Sequence, residues 1–149
     1  MRIGWREWLA IPDLGIERIK AKVDTGARSS TLHAFDLEVF ERAEDPATRW
    51  IRFSVHPLQH DTRQRRRVEV PLVGRRLVRP STGELGERPV IRVRVRLGTD
   101  TFSTDVTLVR RDLMGFRMLL GRRALRGRYL VDSGRSFLLG RPGPPPPDA

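Results

Sequence analysis

The chain has 149 residues, 38% of them hydrophobic, and no cysteine, which is enough apolar material for one domain with a core and excludes a disulfide framework and thiolate metal ligation. Its formal net charge is +11, and every one of its 29 basic residues except Lys20 and Lys22 is arginine. That surplus suits nucleic acid, an anionic surface or an acidic peptide, and composition alone does not choose among them.

No apolar run is long enough to span a bilayer and no charged-then-apolar leader opens the chain, so a soluble cytoplasmic protein is expected. Trp8, Leu9, Ala10 and Ile11 read as an extended run, Pro12-Asp13-Leu14-Gly15 as a turn, and residues 16–23 as a second run. This second run delivers the chain into Asp24-Thr25-Gly26-Ala27. A carboxyl group on a Gly-containing turn directly behind a strand is held rigidly near backbone donors, which is how a catalytic acid is presented. One such acid cannot do acid and base work alone, so the motif predicts a second copy nearby and hence an assembly.

Further along, Ile51, Phe53 and Val55 alternate with Arg52 and Ser54. Residues 59–67, with Arg65-Arg66-Arg67, read as an exposed loop. Ile91, Val93, Val95 and Leu97 alternate with Arg92, Arg94 and Arg96, turn at Gly98-Thr99-Asp100, and are answered by Phe102, Thr104, Val106 and Leu108. Such alternation buries one face of a strand and wets the other, and here the wet face is arginine. Residues 121–126 alone read as helix, while 129–131 and 137–139 read as strands. The chain is therefore expected to be mainly β, with one domain over residues 1–141 and a proline-rich disordered tail over 142–149.

Two more features join the Asp-Thr-Gly turn: Pro80-Ser81-Thr82-Gly83 at an expected hairpin tip, and Phe116-Arg117-Met118-Leu119-Leu120-Gly121-Arg122, an apolar strand ending in glycine before the short helix. In this order they resemble the retropepsin-like aspartic proteases. Gly4-Trp5-Arg6-Glu7-Trp8, the stretch from Ala21 through Asp24 to Ser30, Leu32-His33-Ala34, Arg88-Pro89-Val90-Ile91 and Met118-Leu119-Leu120-Gly121-Arg122 are similar to the blocks of one bacterial and archaeal branch. That branch is the retropepsin-like aspartic endopeptidase family also labelled ATP-dependent zinc protease.

The resemblance implies a closed β-barrel half-protease with one short helix, whose homodimer brings two Asp24 side chains together. Two carboxyl groups about 3 Å apart share one proton. The ionised one would activate a water and the protonated one would polarise the scissile carbonyl. It further implies that Thr25 bonds across the dimer axis and that the Gly26 amide holds the carboxyl. Ala27, Arg28, Ser29, Arg79, Ser81, Thr82 and Gly83 would contact substrate. Viral relatives usually carry acidic residues where this chain has Arg28 and Ser29. A guanidinium there favours a carboxylate-bearing, glutamate-rich peptide, unless Arg28 serves a structural acid. The family's association with glutamate-ligating enzymes points to an ATP-grasp glutamate ligase as a partner.

The zinc and ATP of the older label find no support in the residues. His33, His56 and His60 lack metal-ligand spacing, and no phosphate-cradling glycine loop precedes a lysine, so neither a metal site nor a cofactor is expected. Tyr129-Leu130-Val131-Asp132-Ser133-Gly134 repeats the strand-then-Asp-Ser-Gly pattern, but too few residues follow Asp132 to build a second lobe, and it reads as a turn residue. The rival reading is a non-catalytic β-barrel that binds an acidic partner or nucleic acid. The nucleic-acid version is weakened because several of the one Tyr, six Phe and three Trp fall at core positions, leaving few rings to stack on bases.

Overall fold

The computed structural model describes residues 1–56, 65–78, 86–110, 113 and 115–140. Its centre is a closed barrel of six strands. In chain order the barrel contributors are β2 (Arg6–Ile11), β3 (Ile16–Val23), β4 (Ser30–His33), β9 (Gly86–Leu97), β10 (Asp100–Val109) and β11 (Met118–Leu120). They neighbour one another in the order β10, β4, β11, β3, β2, β9, and the antiparallel β9–β10 pairing closes the ring. Closure leaves the barrel without an open edge.

The alternation read in the sequence is the reason the barrel is filled. Ile91, Val93, Val95 and Leu97 are buried, as are Phe102, Thr104, Val106 and Leu108 on the facing strand, while Arg92 and Arg94 are exposed. Leu9, Ile11, Ile19, Ala21, Met118 and Leu120 complete the interior, each essentially inaccessible. Burying one such Leu or Ile side chain contributes about 1.5–3 kcal/mol, so the interior dominates the stability. The link from β2 to β3 is a 3-10 turn, Pro12–Leu14, closed by the Gly15 amide on the Pro12 carbonyl at 2.9 Å with Gly15 at φ +66°. A left-handed residue is needed there, and glycine adopts it without strain.

A second, three-stranded sheet is built from β5 (Phe35–Arg42), β6 (Asp45–Val55) and β7 (Arg66–Pro71), all antiparallel. Ile51, Phe53 and Val55 of β6 enter the common core. The short strand β8 (Gly74–Val78) pairs with β9 from Gly74 opposite Val90 to Val78 opposite Gly86, forming a hairpin whose tip falls outside the described residues. β1 (Arg2–Gly4) and β12 (Leu130–Asp132) form a separate parallel pair. The single helix, α1 (Arg122–Leu125), lies within the stretch read as helical.

Three expectations are corrected. Residues 137–139 are a turn and not a strand: Phe137 has φ +55°, and the Gly140 amide bonds the Phe137 carbonyl at 3.2 Å. The cause is the fully buried Glu7, whose Oε2 accepts the amides of Gly4 (2.7 Å) and Leu138 (2.9 Å) and whose Oε1 accepts that of Leu139 (3.2 Å). A carboxyl group takes the amides that a neighbouring strand would otherwise receive. Phe137 stacks on Trp8 at 5.7 Å, which fixes the turn against β2. The strand expected at 129–131 runs one residue later, as β12, because Leu130 registers on Arg2. Arg66 and Arg67, read as loop, begin β7, whereas residues 59–64 of that expected loop lie outside the described residues, as does the whole expected tail over 142–149.

Glu7→Ala should destabilise the fold by roughly 3 kcal/mol, because three buried amides lose their acceptor. Glu7→Gln keeps one oxygen for two of those amides and should cost only about 1 kcal/mol. Urea-unfolding midpoints of the three proteins check both values, and equal midpoints for Ala and Gln would remove Glu7 from this role.

Candidate active site

β3 ends at Val23 and β4 begins at Ser30, so residues 24–29 form the loop between two barrel strands. The strand that separates those two stems is β11, only three residues long. It pairs in parallel with β3, Leu120 opposite Val23, and antiparallel with β4, Leu119 opposite Thr31. The loop is therefore clamped at both ends by one short segment. The Asp24 amide bonds the Leu120 carbonyl at 2.9 Å, and the Gly121 amide bonds Ser30 Oγ at 3.1 Å. The amides of Arg122 and Arg123 then bond the carbonyls of Ala27 and Arg28 at 2.8 and 3.1 Å. The Arg122 side chain reaches back and donates Nη1–H to the Thr25 carbonyl at 3.0 Å.

Position 121 has to be glycine for this to close. A Cβ there would stand 2.5 Å from the backbone carbon and oxygen of Ser29, a contact that backbone atoms cannot relieve. Leu-Leu-Gly-Arg is thus a clamp in which each residue type has a reason: the leucines pair and pack, glycine admits the loop, and arginine ties its outer carbonyl.

Within the clamped loop the Asp24 carboxyl closes a local turn. Its Oδ1 accepts the Gly26 amide at 3.0 Å, and its carbonyl accepts the Ala27 amide at 3.2 Å. Oδ2 takes no hydrogen bond among the described residues. Asp24 is half-buried, whereas Thr25 and Gly26 are exposed. Thr25 also lines a shallow groove of about 370 Å³ with Arg122, Leu125, Arg126, Tyr129, Leu130 and Val131. The Tyr129 hydroxyl donates to Asp100 Oδ2 at 3.1 Å. Burial first, and then this bond to a carboxylate, raise the phenol well above its ordinary range, so it stays protonated.

The residues expected to meet substrate separate into two groups. Ala27, Arg28 and Ser29 continue the loop directly: Arg28 is exposed and has no acidic partner among the described residues, and Ser29 Oγ meets Arg76 Nη1 of β8. That contact brings one leg of the β8–β9 hairpin onto the loop that carries Asp24. Arg79, Ser81, Thr82 and Gly83 lie outside the described residues. Arg76 and Arg123 stand in the sequence among many arginines without a distinguishing pattern.

Asp132 repeats the local geometry of Asp24, its Oδ1 accepting the Gly134 amide at 3.0 Å. It ends β12, which pairs with β1 and not with a barrel strand. The Arg135 carbonyl that follows packs so tightly on Gly4 that a Cβ there would stand 2.3 Å away. This turn therefore belongs to the seam between the chain's two end regions. His33 lies on β4 with Nε2 3.1 Å from the Arg110 carbonyl and Nδ1 3.4 Å from Arg117 Nη1. Among the described residues no cluster of three His, Asp or Glu side chains is arranged to hold a metal ion, and no helix is long and apolar enough to cross a membrane.

Comparison with known proteins matches this arrangement. A crystal structure of Lpg0085 from Legionella pneumophila, a DUF785 protein of unknown function, superposes with a TM-score of 0.73 at 26% identity, covering 92% of this chain and 96% of that one. A probable alpha-L-glutamate ligase of Shewanella pealeana is 43% identical over 95% of this chain but only 30% of its own length, and one of Parasynechococcus marenigrum is 47% identical over 93% and 29%. The chain thus spans about 30% of the length of these curated relatives. Residues 2–142 match the profile of the RimB-like family, described as retropepsin-like aspartic endopeptidase RimB, and the chain belongs to that family.

Proposed function

We propose that the chain acts as a homodimeric aspartic peptidase in which the Asp24 carboxyls of two copies share a proton and activate one water. The observation that supports this most directly is the clamped Asp24 turn, with one carboxyl oxygen fixed by the Gly26 amide and the other without a partner among the described residues. Hydrolysis of an amide needs a base to take a proton from water and an acid to polarise the carbonyl and then protonate the leaving nitrogen. Two copies of this turn supply both roles when they face each other. The exposed Thr25 and Gly26, on the rim of an open groove, leave room for that approach. In the dimer Thr25 bonds across the axis, and Arg79, Ser81, Thr82 and Gly83 contact the bound peptide.

The substrate in this reading is an acidic, glutamate-rich peptide. Arg28 stands exposed beside the turn without an acidic partner among the described residues, and a guanidinium binds a carboxylate through two parallel hydrogen bonds. Relatives named probable alpha-L-glutamate ligases carry a segment similar to this chain, which fits a peptidase working with an ATP-grasp ligase in the cytoplasm. The rival reading is a barrel that holds an acidic partner without cutting it.

Asp24→Asn should reduce cleavage of a glutamate-rich peptide by at least about a thousandfold, because the amide can neither share nor give up the proton. Melting temperature should stay close to that of the wild type, since Asn retains the Oδ1 acceptor. Cleavage by neither protein at any mildly acidic to neutral pH, with tight binding by both, would establish the binding module instead. Specific activity should rise with protein concentration and plateau as sedimentation shows dimer, and a strictly monomeric, fully active species would overturn the two-copy mechanism. Gly121→Ala should lose activity more steeply than stability, because its methyl group displaces the Ser29 backbone and with it the loop bearing Asp24. A peptide assay beside a thermal melt separates the two effects.

A further inference from the structure

A second cleft borders the Asp24 loop at Ser29. It encloses about 180 Å³ and is lined by Ser29, Arg76, Arg92, Ser103, Asp105 and Arg123, among others. Three guanidinium groups thus converge on one concavity with a single carboxylate. Arg92 is committed to that carboxylate, its Nη1 lying 3.1 Å from Asp105 Oδ1. Arg76 has only the Ser29 hydroxyl as a side-chain partner, and Arg123 engages the loop through its backbone amide on the Arg28 carbonyl. Neither side chain has an acidic partner among the described residues. Like charges gathered in a concave site raise the local potential and attract an anion.

We infer that this cleft is a specificity subsite for a side-chain carboxylate of the bound peptide, with Arg76 and Arg123 as the residues that recognise it and Ser29 as a hydroxyl that orients Arg76. The inference rests on the peptidase reading, since it places a substrate side chain beside the loop that carries Asp24. Three positions tie the cleft to the loop that carries Asp24. Ser29 lies on the Asp24 loop, Arg123 follows the Gly121 clamp, and Arg76, whose side chain meets Ser29, belongs to β8. The subsite therefore joins all three elements that would surround a peptide. A guanidinium whose donors are only partly used can take a carboxylate in a fork geometry that ammonium cannot copy, so arginine at both positions favours glutamate or aspartate over glutamine.

The test measures binding without cleavage. Full-length Asp24→Asn protein is titrated into fluorescein-labelled hexaglutamate and hexaglutamine, followed by anisotropy, alone and with Arg76→Ala, Arg123→Ala, Arg76→Lys or Arg49→Ala added. Hexaglutamate should bind at least about tenfold more tightly than hexaglutamine, and Arg76→Ala and Arg123→Ala should each weaken it about tenfold. Arg76→Lys should fall between, and Arg49→Ala, an exposed arginine on β6, should bind as the parent does. Thermal melts accompany each variant. Arg123 is exposed, so its variant carries the test even if Arg76→Ala fails to fold. Equal weakening by Arg49→Ala would mean general charge attraction and overturn the subsite, as would unchanged binding by Arg123→Ala. If the wild type cuts hexaglutamate while the arginine variants bind normally, the subsite fails and the peptidase stands. If no peptide is cut but the variants lose binding, the peptidase fails and the carboxylate site stands.

Discussion

A strand of three residues lodged between the two stems of one loop is the constraint on which the site depends. β11 pairs with β3 on one side and β4 on the other, and immediately afterwards Gly121 lets the chain pass against the Ser29 backbone at a distance no side chain allows. The consequences run outward from there. The Asp24 amide, the Ala27 carbonyl and the Arg28 carbonyl are all satisfied by the same passing segment, so the loop carries its carboxyl group on a backbone that has little freedom left. Preorganisation of this kind is what separates a carboxyl group positioned for chemistry from one that only caps a turn. Asp132 shows the contrast within one molecule, with the same turn and the same amide contact, but on a pair of strands outside the barrel.

The distribution of charge follows from where carboxylates were available. On the outer sheet two arginines share carboxylates: Glu69 accepts from both Arg42 at 2.7 Å and Arg52 at 2.8 Å, and Arg52 also reaches Glu38 at 3.2 Å. These hydrogen bonds, that from Arg52 foremost, hold the Glu69 carboxyl below its ordinary range. Such exposed pairs contribute little to stability, but they use up positive charge. Arg42 and Arg52 additionally lie over Trp50 and Phe40, at 3.7 and 4.6 Å from the ring centroids, which keeps their apolar stems covered. Around the Asp24 loop Arg28, Arg76 and Arg123 have no acidic partner among the described residues.

Much of this was legible in the residues. Period-two alternation in 91–97 and 102–108 specifies two strands with one buried and one wet face each. The spacing of Asp24-Thr25-Gly26 behind an apolar run, and of Leu120-Gly121-Arg122 before a short helix, identified both halves of the clamp in the order the structure uses them. Alternation was also present in β5, where Leu37 and Val39 pack toward the core between Asp36 and Glu38, and a closer reading of that stretch would have found the strand.

What remained hidden depended on partners distant in sequence. Nothing near Leu138 says that its amide will meet Glu7, 131 residues away, so an apolar triplet that alternates poorly was read as a strand when a buried carboxyl group had already claimed its donors. Nothing near Arg76 marks it off from the chain's other arginines, because its distinction is the Ser29 hydroxyl and the carboxylate it lacks. Local periodicity and backbone freedom were enough to place the central strands, the turn and its acidic side chain. Which carbonyls fix that turn, and which cations lack an acidic partner among the described residues beside it, came from contacts between segments far apart along the chain.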